Sequence, residues 1–252
     1  MASDPGSSSL FSDLAPRLEE RRQRPEAHAA AIQALFARVA PRYDLVNRVL
    51  SLGLDARWRR RVVRALDDAP PGAALDLCAG TMDLSRLLAR AFPDERVVAV
   101  DFSPEMLARG RSKAPRVERV VADALALPFP AATFTRVVCG FGVRNVSDVP
   151  RAVREAERVL APGGVFVTLE LFRPSRAVTR AFQATYARAV LPGVGGALSG
   201  DRAAYRYLSR SMEGFMERDA YAALLRAAGF DDVRSVDLTG GIASIVSGRR
   251  RA

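Results

Sequence analysis

Between residues 73 and 171, short apolar runs alternate with segments whose apolar residues recur at helical spacing. We predict strands over 73–77, 96–100, 117–122, 136–139 and 165–171, and helices over 82–91, from Pro104 onward and over 149–160. Strands that alternate with helices form a parallel sheet that is covered by helices on both faces. The pattern therefore predicts an α/β fold.

The C-terminal part of the sequence has a different pattern. Apolar runs over 233–238 and 242–247 flank Thr239, Gly240 and Gly241, which predicts an antiparallel hairpin. The segment 173–217 precedes it, with several aromatic residues and a glycine-rich break. An insert of this length over the carboxyl edge of a sheet suits a substrate lid. A helical addition that only buries its aromatic residues is the simpler alternative.

We expect one domain over residues 31–252, preceded by a tail. Residues 1–30 combine a Ser/Gly/Pro-rich start with a charged run, which predicts a disordered tail with at most one frayed helix. A helical pattern starts at Ile32, and an amphipathic stretch follows over 45–66.

Composition excludes several classes of function. The formal net charge is +10, but the arginine clusters are not interleaved with aromatic residues, so we expect no nucleic-acid partner. Cys78 and Cys139 lack metal-ligand spacing, so we expect no metal site and a reducing compartment. His28, the single histidine, lies in the charged N-terminal stretch, and we therefore expect no histidine-based chemistry.

The sequence also bears on location. No segment approaches the roughly 18 apolar residues that a membrane-spanning helix needs, and the N-terminus lacks the apolar core of a signal peptide. We expect a cytoplasmic protein whose contact with a membrane, if any, is peripheral and at the inner face.

The turn after the first predicted strand is the candidate ligand site, because open parallel sheets bind ligands beyond the carboxyl ends of their strands. Gly80 permits a tight turn before a helix N-terminus. A dinucleotide site would need the G-x-G-x-x-G pattern, and a single glycine here disfavours a nicotinamide oxidoreductase.

Carboxylates at the strand ends favour S-adenosylmethionine, which carries a ribose, an adenine and an amino-acid end but no phosphate. Asp101 ends the second strand and is placed to accept the ribose hydroxyls. Asp123, with the backbone of Ala124, is placed at the adenine, while Asp76 and Thr81 line the first turn near the amino-acid end. Taken singly, each acid could be a helix cap or a solvated loop residue.

Several motifs resemble one family over residues 36–248. They are PRYD at 41–44, SLGLD at 51–55, VDFSPEML at 100–107, FGVRN at 141–145, RVLAPGG at 158–164 and AYRYL at 204–208. Together they are similar to the UbiE/MenG-type ubiquinone/menaquinone biosynthesis C-methyltransferases. The resemblance implies a Class I, Rossmann-like methyltransferase fold of seven mostly parallel strands with a C-terminal antiparallel hairpin, S-adenosylmethionine as cofactor, and methylation of a ring carbon in a demethylated, membrane-borne prenylated quinol.

The chain departs from the family pattern at two positions. Met82 stands in a turn that usually reads GTGD, and we expect it to narrow the site beside the methionyl end of the cofactor. Gly140 stands where a small hydroxyl residue is common, so one hydrogen bond to the cofactor is expected to be lost. Both departures leave open a catalytically idle module that only binds the cofactor.

For catalysis we assign the polar roles to Arg144, Asn145 and Tyr43. Arg144 is expected to stabilise the quinolate oxygen or to position a water that removes the ring proton. The alternative is a structural arginine that pins its loop to Asp148. A methyltransferase acting on another lipid or small molecule is the nearest rival activity, and a homodimer stays open.

The substrate tail implies a membrane contact. Our candidate surface is the stretch 45–66, with Trp58 and the arginines at 57 and 59–61. The alternative is a helix that packs on the edge of the sheet.

Overall fold

The computed structural model describes residues 25–251. The first helices and strands are α1 Pro25–Val39, α2 Tyr43–Leu50, α3 Leu54–Arg64, β1 Ala74–Leu77, α4 Asp83–Ala91, β2 Val97–Asp101, α5 Pro104–Gly110, β3 Glu118–Val121 and β4 Phe134–Gly140. They are followed by α6 Val149–Val159, β5 Leu160–Glu170, α7 Ala177–Thr185, a π-helix over Tyr186–Gly195, α8 Gly196–Ser199, α9 Arg202–Glu213, α10 Arg218–Ala227, β6 Phe230–Leu238 and β7 Ala243–Arg250. Short 3₁₀ turns cover Ala40–Arg42, Val143–Asn145 and Thr239–Gly241.

The seven strands form one sheet in the order β3-β2-β1-β4-β5-β7-β6. β7 runs antiparallel to both of its neighbours, and the other pairs are parallel. The α/β fold and the C-terminal hairpin predicted from the sequence are confirmed. The chain runs outward from β1 through β2 and β3 and then returns to β4, so the strand order reverses between β1 and β4. Ligands bind at such a reversal in open α/β sheets.

The central strands are buried along their whole length. Every residue of β1 and of β2 is buried, which explains why both are apolar apart from Asp76 and Asp101. β6 lies at one edge and alternates charged and apolar residues, so the edge is protected from pairing with another chain.

Helix starts follow the expected local chemistry. Pro104 occupies the first turn of α5, where its missing N–H is not needed, and the Ser103 hydroxyl accepts the backbone N–H of Met106. The carboxylate of Asp148 similarly accepts the N–H of Arg151 at the start of α6. Residues 162–164, which we expected to close α6, lie inside β5 instead, because β5 begins directly after α6 ends.

Two features of the N-terminal region add to what the sequence predicted. α1 begins at Pro25, so residues 25–30 are helical, and the rest of the predicted tail lies outside the described residues. The stretch 45–66 forms two helices, because Leu52 and Gly53 adopt left-handed backbone conformations with φ of 52° and 74°. The turn between α2 and α3 carries Leu52 at its tip.

The segment 173–217 is helical and packs against α1 and α2. Ile32 and Val39 of α1 share one buried cluster with Tyr205 and Tyr207 of α9. The insert therefore buries part of its aromatic residues, as the simpler alternative required. Phe182 on α7 remains more than half exposed.

Candidate active site

A cavity lies at the reversal of strand order, and we call it the switch-point cavity. Its wall combines the ends of β1, β2 and β4, the segment after β3, and one face of α1. The lining residues on the sheet side include Cys78, Gly80, Asp101, Asp123, Ala124, Gly140 and Asn145, and those on α1 are His28, Ala29, Ile32 and Phe36. Five of the seven predicted cofactor residues therefore share one wall.

Asp101 organises the polar side of this cavity. Its two carboxylate oxygens accept the backbone N–H of Gly80 at 2.8 Å and that of Ser103 at 2.9 Å. Each carboxylate oxygen has a further lone pair, so Asp101 can still accept hydroxyl donors from a ligand. Burial raises the pKa of Asp101 to about 6, and the backbone N–H donors oppose that shift.

Gly80 makes the turn beside Asp101 possible. Its φ of +54° lies in the left-handed region that other residues rarely adopt. A Cβ at this position would lie 3.4 Å from the Met106 side chain, which is ordinary van der Waals contact, so the backbone conformation and not the available space accounts for the glycine.

Asp123 and Ala124 line the far end of the cavity after β3. One carboxylate oxygen of Asp123 accepts the backbone N–H of Leu125 at 2.9 Å, which orients the exposed side chain. Ala124 is buried.

Asp76 and Thr81 are not brought to the wall of this cavity. The Asp76 carboxylate faces α4 and accepts both the N–H and the hydroxyl of Ser85, at 2.8 Å and 2.5 Å. Burial raises the pKa of Asp76 to about 7, while the Ser85 donors oppose the shift. Thr81 is buried and bridges Asp44 and Lys113. Asp76 thus stabilises the start of α4, an internal role.

The structure shows what surrounds the two positions that depart from the family pattern. Met82 is fully buried with φ of 64°, and its side chain fills the space over Gly110, so it does not narrow the switch-point cavity. Gly140 lines the cavity, but a Cβ there would lie 2.7 Å from Leu84. Leu84 therefore accounts for a glycine at this position.

A second, larger cavity lies beside the first, and we call it the apolar cavity. Its wall is formed by α2, α3 and the helical insert. The lining residues include Leu50, Leu52, Leu54, Trp58, Leu171, Phe182, Tyr186, Leu191, Leu208, Met212 and Ile242. Tyr43 and Phe141 line both cavities and form the partition between them.

Two residues of α3 pack against the Phe141 ring of the partition. The Arg59 guanidinium lies 5.5 Å from the centre of the Phe141 ring, and the Trp58 ring lies 6.2 Å from it. Arg59 also pairs with Asp55, one turn earlier on α3. Trp58 is buried and donates its indole N–H to Thr239 at 3.0 Å.

Arg144 lines the apolar cavity and is almost fully buried. Its guanidinium pairs with the buried Glu170 at 2.5 Å and donates to the Phe141 carbonyl at 2.8 Å. Burial alone would lower the pKa of Arg144, but the Glu170 carboxylate outweighs it and holds the pKa above its usual value. Arg144 is therefore a fixed positive charge at the partition.

Tyr43 and Asn145 complete the partition region. Burial raises the pKa of Tyr43, although the positive charge of Arg144 opposes the shift, so the phenol stays protonated at neutral pH. The Asn145 side chain lies within 3.5 Å of both the Phe141 carbonyl and the Tyr207 hydroxyl. Asn145 lines the switch-point cavity, and Arg144 lines the apolar one.

His28 is the residue that sequence reasoning missed. It is 5% exposed, lines the switch-point cavity, and its Nε2 lies 3.1 Å from the Asn145 carbonyl oxygen. We expected no histidine-based chemistry because it lies in the charged N-terminal stretch. The only signal was the apolar spacing of Ile32, Leu35 and Val39, which continues upstream to His28 on the same helix face.

Comparison with known proteins decides the family. The model of the ubiE/COQ5 methyltransferase family matches residues 23–250. The chain belongs to the ubiE/COQ5 methyltransferase family. A demethylmenaquinone methyltransferase of Thermus thermophilus is 46% identical to it over 220 residues, which cover 86% of this chain and 100% of the relative. A ubiquinone/menaquinone biosynthesis C-methyltransferase of Syntrophotalea carbinolica is 42% identical, covering 86% and 92%.

Solved structures agree on the fold of this ubiE/COQ5 family member. A SAM-dependent methyltransferase of Thermotoga maritima, described as a possible histamine N-methyltransferase, superposes with a TM-score of 0.64 at 19% identity, covering 86% of this chain and 99% of that one. A phosphoethanolamine N-methyltransferase of Haemonchus contortus in complex with S-adenosylhomocysteine gives a TM-score of 0.59 at 15% identity, over 77% and 52%.

The expectation of an S-adenosylmethionine-dependent C-methyltransferase of quinone biosynthesis is thereby confirmed. The residues of the switch-point cavity fit the cofactor, because Asp101 keeps lone pairs there that can accept hydroxyl donors and the Gly80 turn lies beside it at the wall. Gly80, Asp101, Asp123, Ala124 and Gly140 are the residues that would hold it.

Proposed function

We propose that this methyltransferase acts on a ring carbon of a demethylated isoprenoid quinol, either a demethylmenaquinol or the benzoquinol of the ubiquinone pathway. The observation that carries the proposal is the partition shared by two cavities. A cavity whose wall carries the carboxylates of Asp101 and Asp123 and a larger, mainly apolar cavity meet at Tyr43 and Phe141. Methyl transfer requires donor and acceptor to lie next to each other, and the mainly apolar lining of the second cavity favours a largely apolar acceptor.

When bound, S-adenosylmethionine would supply a methyl group on a positively charged sulfur, which an acceptor carbon can displace in line. A ring carbon methylated in this way would gain a carbon–carbon bond at the expense of the carbon–sulfur bond and would then have to release its proton. Holding the two centres about 3–3.5 Å apart contributes up to roughly 7–11 kcal/mol. The insert helices and the partition would supply this positioning.

Arg144 and Tyr43 would favour the ionised quinol, whose oxygen raises the electron density on the ring carbon. The fixed charge of Arg144 at the apolar cavity attracts that oxygen, and the protonated Tyr43 can donate a hydrogen bond to it. With its charge held by Glu170, Arg144 can also orient a water molecule that takes the ring proton. Asn145 would keep the 141–145 loop in position from the side of the switch-point cavity, through its contact with the Phe141 carbonyl.

The activity is tested with a short-chain demethylquinol presented in its reduced and in its oxidised form. We expect methylation of the reduced form alone, with the product methylated on ring carbon by NMR. Methylation of a phospholipid amine, or cofactor binding without methylation of any quinol, would contradict the proposal.

The role of Arg144 needs a variant that keeps the protein folded. Arg144→Ala alone leaves Glu170 buried without its guanidinium, which costs about 3–5 kcal/mol. We therefore pair Arg144→Met with Glu170→Gln, so that no charge is left behind. We expect methylation to fall more than tenfold at unchanged cofactor affinity. A smaller loss in a folded protein would make Arg144 a structural residue.

We further propose a peripheral contact with a membrane at the mouth of the apolar cavity. Leu52 at the α2–α3 turn is 85% exposed, and Val178 and Phe182 on α7 are 84% and 55% exposed. Leu52 and Phe182 both line the cavity, so a prenyl tail could leave it between them. No helix within residues 25–251 has the length and apolar character to cross a bilayer.

The contact surface expected from the sequence has to be corrected in part. Trp58 and Arg59 are buried and hold the partition, so neither can reach a lipid surface. Arg57, Arg60 and Arg61 remain exposed on α3 and can attract anionic headgroups.

Vesicle co-sedimentation tests this contact. Vesicles of phosphatidylcholine are compared with vesicles that also contain phosphatidylglycerol. We expect Leu52→Asp with Val178→Asp to abolish binding, and neutralising Arg57, Arg60 and Arg61 to remove the preference for anionic lipid. Val121→Asp, an exposed position on β3, is the matched control. Binding that survives the double substitution would contradict the proposed surface.

A further inference from the structure

The N-terminal helix α1 covers the switch-point cavity and is fastened to it by polar contacts. Gln33 donates to the carbonyl of Phe102, directly after Asp101, at 2.9 Å. His28 lies one and a half turns earlier and contacts the carbonyl of Asn145 at 3.1 Å. The two contacts end on opposite sides of the cavity, on the loop after β2 and on the loop after β4.

The His28 contact has a defined direction. A carbonyl oxygen can only accept, so the Nε2 of His28 must carry the hydrogen and donate it. His28 is buried, at 5% exposed, and its contact with the half-buried Asn145 is partly shielded from water. Removing a buried donor leaves a carbonyl without that bond, which is costly away from water.

The acceptor of this bond belongs to the segment that carries Arg144. The segment 141–145 turns sharply at Phe141, whose φ is 60°. The Phe141 carbonyl accepts from Arg144 at 2.8 Å, and the Arg144 backbone N–H lies 3.3 Å from Glu170. Glu170 therefore holds the segment on the sheet side, while His28 holds its end on the cofactor side.

The geometry points to His28 as a positioning residue: it keeps α1 closed over the cofactor and, through the Asn145 carbonyl, keeps Arg144 in place at the acceptor. The inference rests on the proposed function for the role of Arg144. It couples the two cavities, because closure of α1 on the cofactor would set the position of the side chain that faces the quinol.

The test compares three variants. His28→Phe keeps a ring of similar volume but cannot donate, and His28→Gln carries an amide N–H near the position of Nε2. Ala34→Gln, at an exposed position of α1, is the control. Calorimetry gives the dissociation constant of S-adenosylmethionine, kinetics give kcat and KM for both substrates, and urea unfolding shows whether each variant is folded.

We expect His28→Phe to weaken cofactor binding about tenfold and to lower kcat about tenfold, while His28→Gln recovers most of both. The KM of the quinol should stay within about twofold, because α1 does not line the apolar cavity. Cofactor affinity and kcat that are unchanged in a folded His28→Phe variant would overturn the inference. Equal losses in folded His28→Phe and His28→Gln variants would do so as well.

Hydrogen exchange on the wild-type protein keeps the inference testable if a variant does not fold. Saturating S-adenosylmethionine should increase the protection of amides in 26–39 and in 141–147 together. Protection of only one of these segments would overturn the coupling. A wild-type protein that binds no cofactor would instead contradict the cofactor assignment, and one that binds it but methylates no quinol would contradict the proposed acceptor.

Discussion

The two cavities are built from different kinds of structure. The switch-point cavity is formed by the ends of parallel strands and by α1, with Asp101 at the end of β2 and Asp123 shortly after β3. The apolar cavity is formed mainly by helices from distant parts of the chain, and its lining is mainly apolar, although Asp55, Arg59 and Arg144 also line it. The ends of strands position a ligand through a few hydrogen bonds of defined geometry, whereas a wall of helices binds it through apolar contact area and a complementary shape. The difference predicts that substitutions in the two cavities separate cofactor binding from acceptor binding.

Asp101→Ala gives the largest effect that we expect. The substitution removes the carboxylate that would accept the ribose hydroxyls and also releases the Gly80 and Ser103 N–H groups. Charge-assisted hydrogen bonds are strong, so the dissociation constant of S-adenosylmethionine should rise about 100- to 1000-fold. Calorimetry measures this constant directly. A rise below tenfold would show that Asp101 does not hold the ribose.

Met82→Ala tests whether Met82 belongs to the core or to the cofactor site. The side chain is fully buried over Gly110, so its loss should lower the free energy of unfolding by about 2–4 kcal/mol. Met82→Leu, which nearly preserves the volume, should cost less than about 1.5 kcal/mol. Urea unfolding measures both values. A change in cofactor affinity in either folded variant would show that Met82 belongs to the cofactor site.

Phe182→Ala tests the apolar cavity, and we expect a smaller effect than for Asp101→Ala or Met82→Ala. Phe182 lines the mouth of the cavity, and its loss should raise the KM of a long-chain quinol about tenfold through lost apolar contact. Cofactor affinity should stay unchanged. The matched control is a quinol without a prenyl tail, for which the substitution should have little effect. Equal losses for both acceptors would contradict a path for the tail at Phe182.

The sequence predicted the strand-end half of the molecule well because that half is local. Asp101 and Asp123 each follow an apolar run, and parallel strands bring their carboxyl ends to one edge, so the periodicity was enough to place both at the cavity. The carboxylate of Asp76 faces α4 because Asp76 lies inside a strand, where the face that a side chain takes depends on the helix packed against it.

The other half depends on contacts that no local pattern encodes. His28 and Asn145 are 117 residues apart, and Tyr207 reaches the same asparagine across 62 residues. The direction of the Met82 side chain follows from a left-handed backbone that residue preferences disfavour. The partition at Tyr43 and Phe141 could be anticipated only through the family motifs that contain them.

The pH dependence of cofactor binding is the smallest effect that we expect, and it tests which carboxylate controls the affinity for the cofactor. Burial raises the pKa of Asp101 to about 6, so its charge is lost as the pH falls through that value. If the ionised form alone accepts the ribose hydroxyls, the dissociation constant should rise about fourfold between pH 7.5 and pH 5.5. Asp76 also titrates in this range, with its pKa raised to about 7, but it lies outside the cavity. Asp76→Asn should therefore keep the pH profile, while Asp101→Asn, which cannot ionise, should flatten it. If Asp76→Asn flattens the pH profile and Asp101→Asn does not, then Asp76 at the start of α4, and not Asp101 at the end of β2, controls the affinity for the cofactor.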